Sequence, residues 1–362
     1  MSKLIIEILA FEEGKSFGFQ EYVFNLLNYF HSHCGNLRFR DIIIVCLKGQ
    51  EKYLQKYADC MNIHICECSS ILTRLLRQTW LPVELKLQKE DVILFTANYS
   101  SLLKRCKHVL VIHDLLFKRK SWLPNRLMRW QREIYLPISV RKADKVICIS
   151  KFTEKEVLHY YPKAKGKIDV VYNYFNFLKY PIRHNIKKEN NFISVCSSAY
   201  HKNTITVLKA FYEYCQHGGI FNLTFVGSLS KDSEAKRFYD GLDVDIQNRI
   251  RIYCKIDNDI LATLYSKAKA YISASLFEGL GMPIVEAMYF NLPVILSDDE
   301  VFHEVSLEKG TYFNPLDYKM LMNLFFDVEH GICGTPDYSG IVKEHYSEEN
   351  TSGIYVDILN SM

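Results

Sequence analysis

Short apolar runs alternate with longer amphipathic stretches along the whole of this chain. Apolar runs of five to seven residues, rich in Ile, Val and Leu, are typical of strands buried in a parallel sheet. The stretches between them are typical of helices that cover such a sheet, so the pattern predicts repeated βαβ units and an α/β fold. The strand candidates are 4–9, 41–47, 62–66, 91–96, 108–113 and the run KVICIS in the first half, and 192–197, 222–227, 249–254, 270–275 and 293–298 in the second.

A polar segment rich in Asn and Lys, residues 173–191, separates the two sets of strand candidates. Its composition suits an interdomain linker. Because 362 residues exceed the usual size of one domain, we predict two doubly wound domains, 1–178 and 190–340. The remaining residues, 341–362, are predicted to form a C-terminal helix, which we expect to pack on the N-terminal domain.

Composition narrows the class of protein. With 48% hydrophobic and 24% charged residues, the chain has the profile of a soluble globular protein. Every apolar run ends well before the roughly 18 residues of a membrane span, and the N-terminus lacks the small-residue cleavage site of an export signal. We therefore expect a cytoplasmic location. The eleven cysteines are scattered, and the closest pair, Cys66 and Cys68, lacks metal-site spacing, so we interpret them as buried thiols.

Positive charge is concentrated in residues 101–145, which hold twelve Lys and Arg against three acids, a local charge of +9 in a chain of net charge +4. Trp80, Trp122 and Trp130 lie in or just before this segment. Cationic side chains beside interfacial aromatics suit an anionic membrane surface, so we expect peripheral association with the inner membrane face. The alternative is a solvated helix face whose tryptophans belong to the core. The small net charge does not indicate a nucleic-acid partner.

The segment SLFEGLGMPIVEAM, residues 275–288, is the strongest candidate for a binding site. A strand candidate ends at its first residue, a glycine-containing loop follows, and Pro283 suits the first position of a helix. Loop glycines let a ligand approach the backbone, and a helix N-terminus favours anions. In an open parallel sheet, ligands bind at the carboxyl ends of strands. The pattern indicates a phosphate-bearing ligand, with Glu278 and Glu286 facing the same opening.

This segment resembles the E-x7-E signature of retaining nucleotide-sugar glycosyltransferases of the GT-B fold, the large family called group 1 or family four. The resemblance extends over most of the chain in the order and spacing of weaker landmarks. These are FGFQEYVFNLL (17–27), VIHDL (111–115), ADKVICISKFTEKEV (143–157), HKNTITVLKAF (201–211), FVG (225–227), DNDILATLYSKAKAYISAS before the signature and NPLD (314–317) after it. The resemblance implies two Rossmann-like domains that face each other across a cleft, with the acceptor on the N-terminal domain and the nucleotide sugar on the C-terminal one.

The family resemblance also implies roles for individual residues. Glu278 would contact the donor sugar near the reacting carbon, and Glu286 would hold the ribose hydroxyls. Four residues, Gly279, Leu280, Gly281 and Lys202, would bind the diphosphate.

Further roles fall on residues outside the signature. His113 would reach the transferred sugar, Gly18 would admit the phosphates or the acceptor, and Lys255 lies in the loop expected to contact the base. Relatives usually carry an arginine before the lysine, but here the segment is SVCSSAYHKN. We therefore expect His201 and the hydroxyl of Ser198 or its neighbour to assist Lys202.

Two Asp-x-Asp strings, 243–245 and 257–259, leave open a metal-dependent glycosyltransferase of the GT-A type. Asp259 is better explained as a first-turn helix acid, and the first string lacks a preceding apolar strand. We therefore predict no metal and no cofactor. No G-x-G-x-x-G follows the first strand and no P-loop motif occurs, which argues against a dehydrogenase or an NTPase.

The resulting prediction is a retaining, metal-independent glycosyltransferase. It would move a hexose from a GDP- or UDP-linked donor to a hydroxyl of a lipid-linked glycan, in the synthesis of a bacterial surface polysaccharide such as O-antigen or capsule. Two alternatives stay open: a nucleotide-sugar epimerase or hydrolase on the same fold, and a catalytically silent binding subunit of a transferase complex.

Overall fold

The computed structural model describes residues 2–11, 17–68, 70–119, 126–181, 186–334 and 337–362. The chain forms two compact units. The first comprises Met1–Tyr174 with Tyr346–Met362, and the second comprises Phe175–His345. The structure therefore places the change of unit at Tyr174, close to the predicted end of the N-terminal domain at residue 178.

The N-terminal unit is built on a parallel sheet which, within the described residues, has the strand order β3-β2-β1-β4-β5-β6-β7. Its strands are β1 (Lys3–Glu7), β2 (Asp41–Leu47), β3 (Asn62–Cys66), β4 (Val92–Phe95), β5 (Lys107–Ile112), β6 (Lys145–Cys148) and β7 (Ile168–Val170). The covering helices are α1 (Phe17–Ser32), α2 (Ile71–Glu84), α3 (Arg126–Lys142) and α4 (Lys151–Tyr160). Every residue of β4 is buried, as expected for a central strand covered on both faces.

The C-terminal unit repeats the architecture, and its described parallel strands run in the order β10-β9-β8-β11-β12-β13. They are β8 (Asn191–Val195), β9 (Asn222–Val226), β10 (Ile250–Tyr253), β11 (Ala270–Ser273), β12 (Val294–Ser297) and β13 (Thr311–Phe313). The helices are α5 (Thr204–Gln216), α6 (Glu234–Asp240), α7 (Val244–Asn248), α8 (Asn258–Lys267), α9 (Met282–Tyr289), α10 (Glu300–Val305), α11 (Tyr318–Glu329) and α12 (Ser339–His345). Both strand orders are doubly wound, which confirms the predicted fold class.

Side-chain caps explain where several helices begin. The Ser150 hydroxyl accepts a hydrogen bond from the Thr153 amide at the start of α4, and Asp257 accepts one from the Ile260 amide at the start of α8. Each cap pairs an amide that has no partner within its own helix. Both helices follow the carboxyl end of a strand, so these caps fix the residue at which each of the two helices begins.

The last helix of the chain, α13 (Ile354–Ser361), belongs to the N-terminal unit. The hydroxyls of Tyr355 and Tyr22 lie 2.9 Å apart, and the Asn360 side chain donates to the carbonyl of Asn36 on the same unit. The segment predicted as one C-terminal helix over 341–362 is therefore divided, because α12 packs in the C-terminal unit and only residues from 346 onward join the N-terminal unit.

Candidate functional site

In each sheet the order of successive strands reverses its direction at one point, the topological switch point. In the C-terminal unit this switch point lies between β8 and β11, which are neighbours in the sheet. The loop after β8 leads to Lys202, and the loop after β11 leads to Glu278. Open α/β sheets bind ligands at the carboxyl ends of strands beside such a point. The sheet topology therefore brings two sequence-predicted segments to the expected ligand position.

Lys202 and Glu278 form an ion pair at this edge, with 2.6 Å between Lys202 Nζ and Glu278 Oε1. Both side chains are mostly buried. The loops that carry them are also joined through the backbone, because the Leu276 amide donates to the carbonyl of His201 at 2.6 Å. The two groups are thus held together by their loops as well as by their own ion pair.

The helix N-terminus beside this pair is formed by an unusual backbone. Gly281 has φ of +96°, a left-handed conformation that glycine adopts without strain, and a Cβ there would lie 3.1 Å from Ile284. α9 begins at Met282, so Pro283 occupies its second position, one residue later than predicted. The Gly281 cap supplies no side-chain hydrogen bond. Backbone amides and the positive end of the helix dipole therefore define this part of the site.

A second glycine constrains the loop after β9. Gly227 has φ of +144°, and a Cβ at this position would lie 1.7 Å from the carbonyl oxygen of Cys196. Only a residue without a Cβ lets the ends of β8 and β9 approach so closely. This explains the glycine of the FVG landmark in physical terms.

Glu286 is more buried than the sequence predicted. Its side chain is 6% exposed and accepts hydrogen bonds from the hydroxyls of Tyr265, at 2.8 Å, and Tyr180, at 3.2 Å. Burial raises the pKa of Tyr265 well above its usual range, so this hydroxyl stays protonated and remains a donor. The expectation that Glu286 faces an opening needs correction, because α9 is buried on nearly every side.

Three predicted donor-binding residues occupy different places along this edge. The Ser198 hydroxyl donates to Ser230 Oγ and accepts from the Ser230 amide, which joins the loops after β8 and β9. His201 lies beside Lys202 in a 3-10 turn, Tyr200–Lys202. Lys255 is exposed with φ of +53° after the edge strand β10, two strands from β8. Lys255 is therefore the most remote of these side chains in the sheet.

Asn203 was missed by the sequence reasoning. It has a left-handed φ of +50° and is mostly buried, and its side chain donates to the carbonyl of Pro315 at 2.8 Å. This hydrogen bond ties the turn that carries Lys202 to the NPLD segment. The signal was present in HKN, since asparagine tolerates the left-handed region better than other residues with a side chain.

The N-terminal unit places His113 at the carboxyl end of β5, next to the end of β4. His113 Nε2 lies 2.7 Å from the Thr96 carbonyl oxygen, which can only accept, so Nε2 carries a proton. The His113 amide donates to Asn98 Oδ1 at 2.9 Å, and the ring stacks edge-on against Phe19 and Tyr22. Burial lowers the pKa of His113. The imidazole is therefore neutral near pH 7, with Nδ1 as its acceptor.

Gly18 lies in the first turn of α1, and a Cβ there would meet nothing within 4 Å. Packing within the unit therefore does not require glycine at this position. Residues 12–16, which precede it in the sequence, lie outside the described residues.

The basic segment 101–145 is only partly described, because Lys120 and Trp122 lie outside the described residues. Trp80 is 55% exposed and Trp130 is 64% exposed, so the alternative that these tryptophans belong to the core is wrong for both. Lys118 pairs with Glu133, and Arg119 pairs with Glu156. The surface that these cations present is thus less positive than the count of charges suggests.

The acids of the two Asp-x-Asp strings have structural positions. Asp257 caps α8, Asp259 lies in the first turn of that helix, and Asp243 stands at the N-cap position of α7. Within the part of the chain that the structure describes, neither string joins a cluster of metal-ligating side chains. Helix capping therefore accounts for the second string.

Two family models match the sequence of this chain and together span most of it. Residues 22–176 match the model described as Glycosyltransferase Family 4, and residues 177–321 match the model described as Glycosyl transferases group 1. The two matches meet at residue 176, close to the division between the two units of the structure.

Curated relatives are also similar to the chain. O-antigen chain mannosyltransferase RfbU of Salmonella typhimurium is 28% identical over 301 residues, covering 79% of this chain and 81% of that protein. Serotype-specific mannosyltransferase WbdA of Escherichia coli is 27% identical over 228 residues, covering 56% of this chain and 27% of that larger protein.

Solved structures share the fold over the whole chain. Sucrose-phosphate synthase of Thermosynechococcus elongatus has a TM-score of 0.75 at 16% identity, covering 100% of both chains. Anabaena HepE in complex with UDP has a TM-score of 0.73 at 14% identity, again covering 100% of both chains. At these identities the structures show the fold alone. Together with the two family models and the curated relatives, they show that the chain belongs to the group 1 glycosyltransferases of the GT-B fold.

Proposed function

We propose that the chain transfers a mannosyl residue from a nucleoside-diphosphate donor to a hydroxyl of a glycan, with retention of anomeric configuration and without a metal ion. The observation that carries this proposal is the Lys202–Glu278 pair at the β8–β11 switch point, beside the N-terminus of α9. One cation, one carboxylate and a helix N-terminus are the groups that cleavage of a sugar–phosphate bond needs.

The donor's diphosphate would replace Glu278 as the ion-pair partner of Lys202. In the free protein Lys202 Nζ is neutralised by Glu278, but a diphosphate carries more negative charge and also reaches the backbone of Gly279, Leu280 and Gly281. The ribose hydroxyls would donate to the Glu286 carboxylate, which two tyrosine hydroxyls hold in place. His201, Ser198 and Lys255 complete the donor side of the proposal.

The reaction itself needs charge stabilisation in two places. The bond from the anomeric carbon to the diphosphate oxygen breaks, and a bond to the acceptor oxygen forms on the same face of the sugar. The acceptor's proton passes to the leaving phosphate. Positive charge grows at the anomeric carbon near Glu278, and negative charge grows on the diphosphate near Lys202 and the α9 amides. Groups fixed in advance stabilise this transition state more than the ground state.

His113 would serve the transferred sugar from the N-terminal unit. Its ring is held by Thr96 through Nε2, so Nδ1 would accept a hydrogen bond from a sugar hydroxyl. The lowered pKa keeps the ring neutral, which suits recognition of an uncharged hydroxyl. Gly18 leaves the start of α1 without a side chain, where acceptor or phosphates would approach.

The sugar, the pathway and the acceptor are inferred from the relatives. RfbU and WbdA are named mannosyltransferases, and RfbU is named for the O-antigen chain. We therefore propose mannose as the donor sugar and a lipid-linked surface polysaccharide, such as O-antigen, as the acceptor. Epimerase or hydrolase activity and a silent binding subunit are the competing functions.

A lipid-linked acceptor implies contact with a membrane surface, and the exposed apolar side chains of α2 and α3 support it. Leu76 with Trp80, and Trp130 with Ile134, are exposed pairs spaced four residues apart, so each pair lies on one face of its helix. Among the described residues, no helix has both the length and the apolar character to cross a bilayer. We propose that these pairs, with the cations of 101–145, enter an anionic interface.

Vesicle binding tests the membrane part of the proposal. Trp80→Ala and Trp130→Ala should each weaken binding to vesicles that contain anionic lipid, whereas Leu178→Ala, a 91% exposed control in the other unit, should not. Equal binding of all variants would contradict membrane contact through α2 and α3.

Release of nucleoside diphosphate, followed with and without a lipid-linked glycan acceptor, tests the transferase. Acceptor-dependent release that persists in EDTA, with an α-linked product from an α-linked donor, is the expected result. Acceptor-independent turnover would favour the epimerase or hydrolase, and donor binding without any turnover would favour the silent subunit. Loss of the chemical step on chelation alone would contradict metal independence.

A further inference from the structure

Three side chains with metal-ligating atoms, those of His31, Asp59 and Cys60, meet at the end of the N-terminal sheet farthest from His113, and Cys34 is a neighbour of Cys60. His31 lies in the last turn of α1, Cys34 follows in a 3-10 turn, and Asp59 and Cys60 lie in the turn before β3. His31 Nε2 and Asp59 Oδ1 are 2.8 Å apart. Burial, and then the neighbouring Cys34 thiol, raise the pKa of the Cys60 thiol to about 11. Ligand atoms of His31, Asp59 and Cys60 all lie within 4.8 Å of one another.

We propose that His31, Cys34, Asp59 and Cys60 bind one Zn²⁺ ion. Two thiolates, one imidazole and one carboxylate make a four-ligand set of the kind that zinc prefers, and soft sulfur ligands disfavour Mg²⁺ and Ca²⁺. The ligands come as two short pairs, His31 with Cys34 and Asp59 with Cys60, on two elements far apart in sequence. The two residues between His31 and Cys34 match the ligand spacing of structural zinc sites, whereas Asp59 and Cys60 are consecutive in the sequence.

The protein itself positions the His31 ring. The His31 ring contacts Tyr57 edge-on at 5.5 Å, and the Tyr57 hydroxyl donates to Asn28 Oδ1 at 2.8 Å. Tyr57 itself is buried. The ion would replace the hydrogen bond between His31 Nε2 and Asp59 Oδ1. The imidazole would bind through Nε2 with its proton on Nδ1, and the two thiols would lose their protons.

The place of the cluster in the fold indicates a structural role. β3 is the edge strand of the sheet, and its amino end follows Cys60. The C-terminus of α1 and the amino end of a parallel strand lie opposite the carboxyl edge that carries His113. An ion here would fasten α1 to the edge strand and take no part in sugar transfer.

Direct metal binding tests this inference. The full chain, purified with a thiol reductant and stripped with a chelator, is titrated with Zn²⁺ against a chromogenic chelator, and separately with Co²⁺. We expect one ion per chain and a Co²⁺ spectrum with the thiolate charge-transfer band and intense visible bands of a tetrahedral site. Thermal unfolding should shift upward on Zn²⁺ addition.

Substitutions locate the ion. Cys34→Ser and Cys60→Ser should each weaken Zn²⁺ binding by more than about tenfold and reduce the charge-transfer band, whereas Cys333→Ser, a half-buried thiol of the other unit, should change neither. Wild-type protein with no bound ion, a Co²⁺ spectrum without sulfur ligation, a Cys34–Cys60 disulfide in cells lysed under thiol-blocking reagent, or binding unchanged in both variants would overturn the proposal.

Discussion

Apart from the additional edge strand β7 of the N-terminal sheet, the two units have the same described strand order, but they differ in the charge of the titratable side chains at the carboxyl edges of their sheets. At the carboxyl edge of the C-terminal sheet, Lys202 and Glu278 are charged and paired. In the N-terminal unit the corresponding edge carries His113, whose pKa burial lowers, and Glu7, whose pKa burial raises to about 7. The two edges therefore differ in charge, because one carries an ion pair and the other carries groups whose charged forms burial disfavours. Under the proposed function, the first edge would receive the diphosphate donor and the second the glycan acceptor.

The largest effect should come from the charged edge. Glu278→Gln keeps the size of the side chain but removes the negative charge near the anomeric carbon, so turnover should fall by about 10²–10³-fold while the KM for the donor changes little. The measurement is steady-state kinetics with varied donor. Glu234→Gln removes an exposed acid of the same unit and should leave turnover unchanged. Equal turnover of Glu278→Gln and wild type would remove Glu278 from the chemistry.

At the carboxyl edge of the N-terminal sheet, the expected effect is on how the free energy of unfolding depends on pH. Glu7 accepts from the Leu9 amide and from Gln78, yet burial dominates and raises its pKa from 4.5 to about 7. The stability that a raised pKa contributes is present below pH 4.5 and is lost as the pH rises through 7. Glu7→Gln should remove this loss, so that, relative to wild type, the variant gains about 3 kcal/mol between pH 4.5 and pH 8.

Denaturant unfolding from pH 4.5 to pH 8 measures the effect of Glu7. His108 acts in the opposite direction, since burial lowers its pKa to about 4, and its contribution is lost as the pH falls from 6.5 through 4. The Glu7→Gln variant should therefore lose stability in acid. A parallel pH profile for the variant and wild type would show that Glu7 is not held neutral.

Donor affinity should depend on Lys202. Lys202→Met keeps much of the aliphatic stem but removes the cation, so affinity for nucleoside diphosphate should fall about 10- to 100-fold. Calorimetric titration measures this loss. Lys209→Met, which removes an ion-paired lysine from the same unit, is the control. Unchanged affinity would mean that the phosphates bind elsewhere along the sheet edge.

The smallest expected effect is on stability, from the tyrosine hydrogen bonds that Glu286 accepts. Tyr265→Phe removes the shorter of its two tyrosine hydrogen bonds, but Tyr180 still donates, so the free energy of unfolding should fall by about 1–2 kcal/mol. Tyr212→Phe, half-buried on α5, should change stability by less than about 0.5 kcal/mol. Tm and denaturant midpoints measure both. A neutral Tyr265→Phe would show that Glu286 does not depend on this hydroxyl.

Much of the fold could be predicted from the sequence, because the alternation of apolar runs and the Gly and Pro residues that bound helices and strands are local signals. The alternation of apolar runs located eleven of the strands, but β7 and β13, with three residues each, are too short to show a pattern. The glycine loop and Pro283 likewise located the start of α9 to within one residue.

The details of the site depend on contacts between distant residues. Tyr180 and Glu286 are 106 residues apart, and Lys202 and Glu278 are 76 apart. Local pattern cannot show such pairs. For the same reason, the cysteines that the sequence indicated as separate buried thiols include Cys34 and Cys60, which the fold brings together.

We propose that Lys202 and Glu278 act as one charged unit that opens to receive the diphosphate. A double-mutant cycle on nucleoside-diphosphate affinity tests it most directly. Lys202→Met alone leaves Glu278 facing the phosphates without its cation, so adding Glu278→Gln should restore affinity by about tenfold relative to Lys202→Met. If the two substitutions are additive, or if the double variant binds no better than Lys202→Met, the account of the site is wrong.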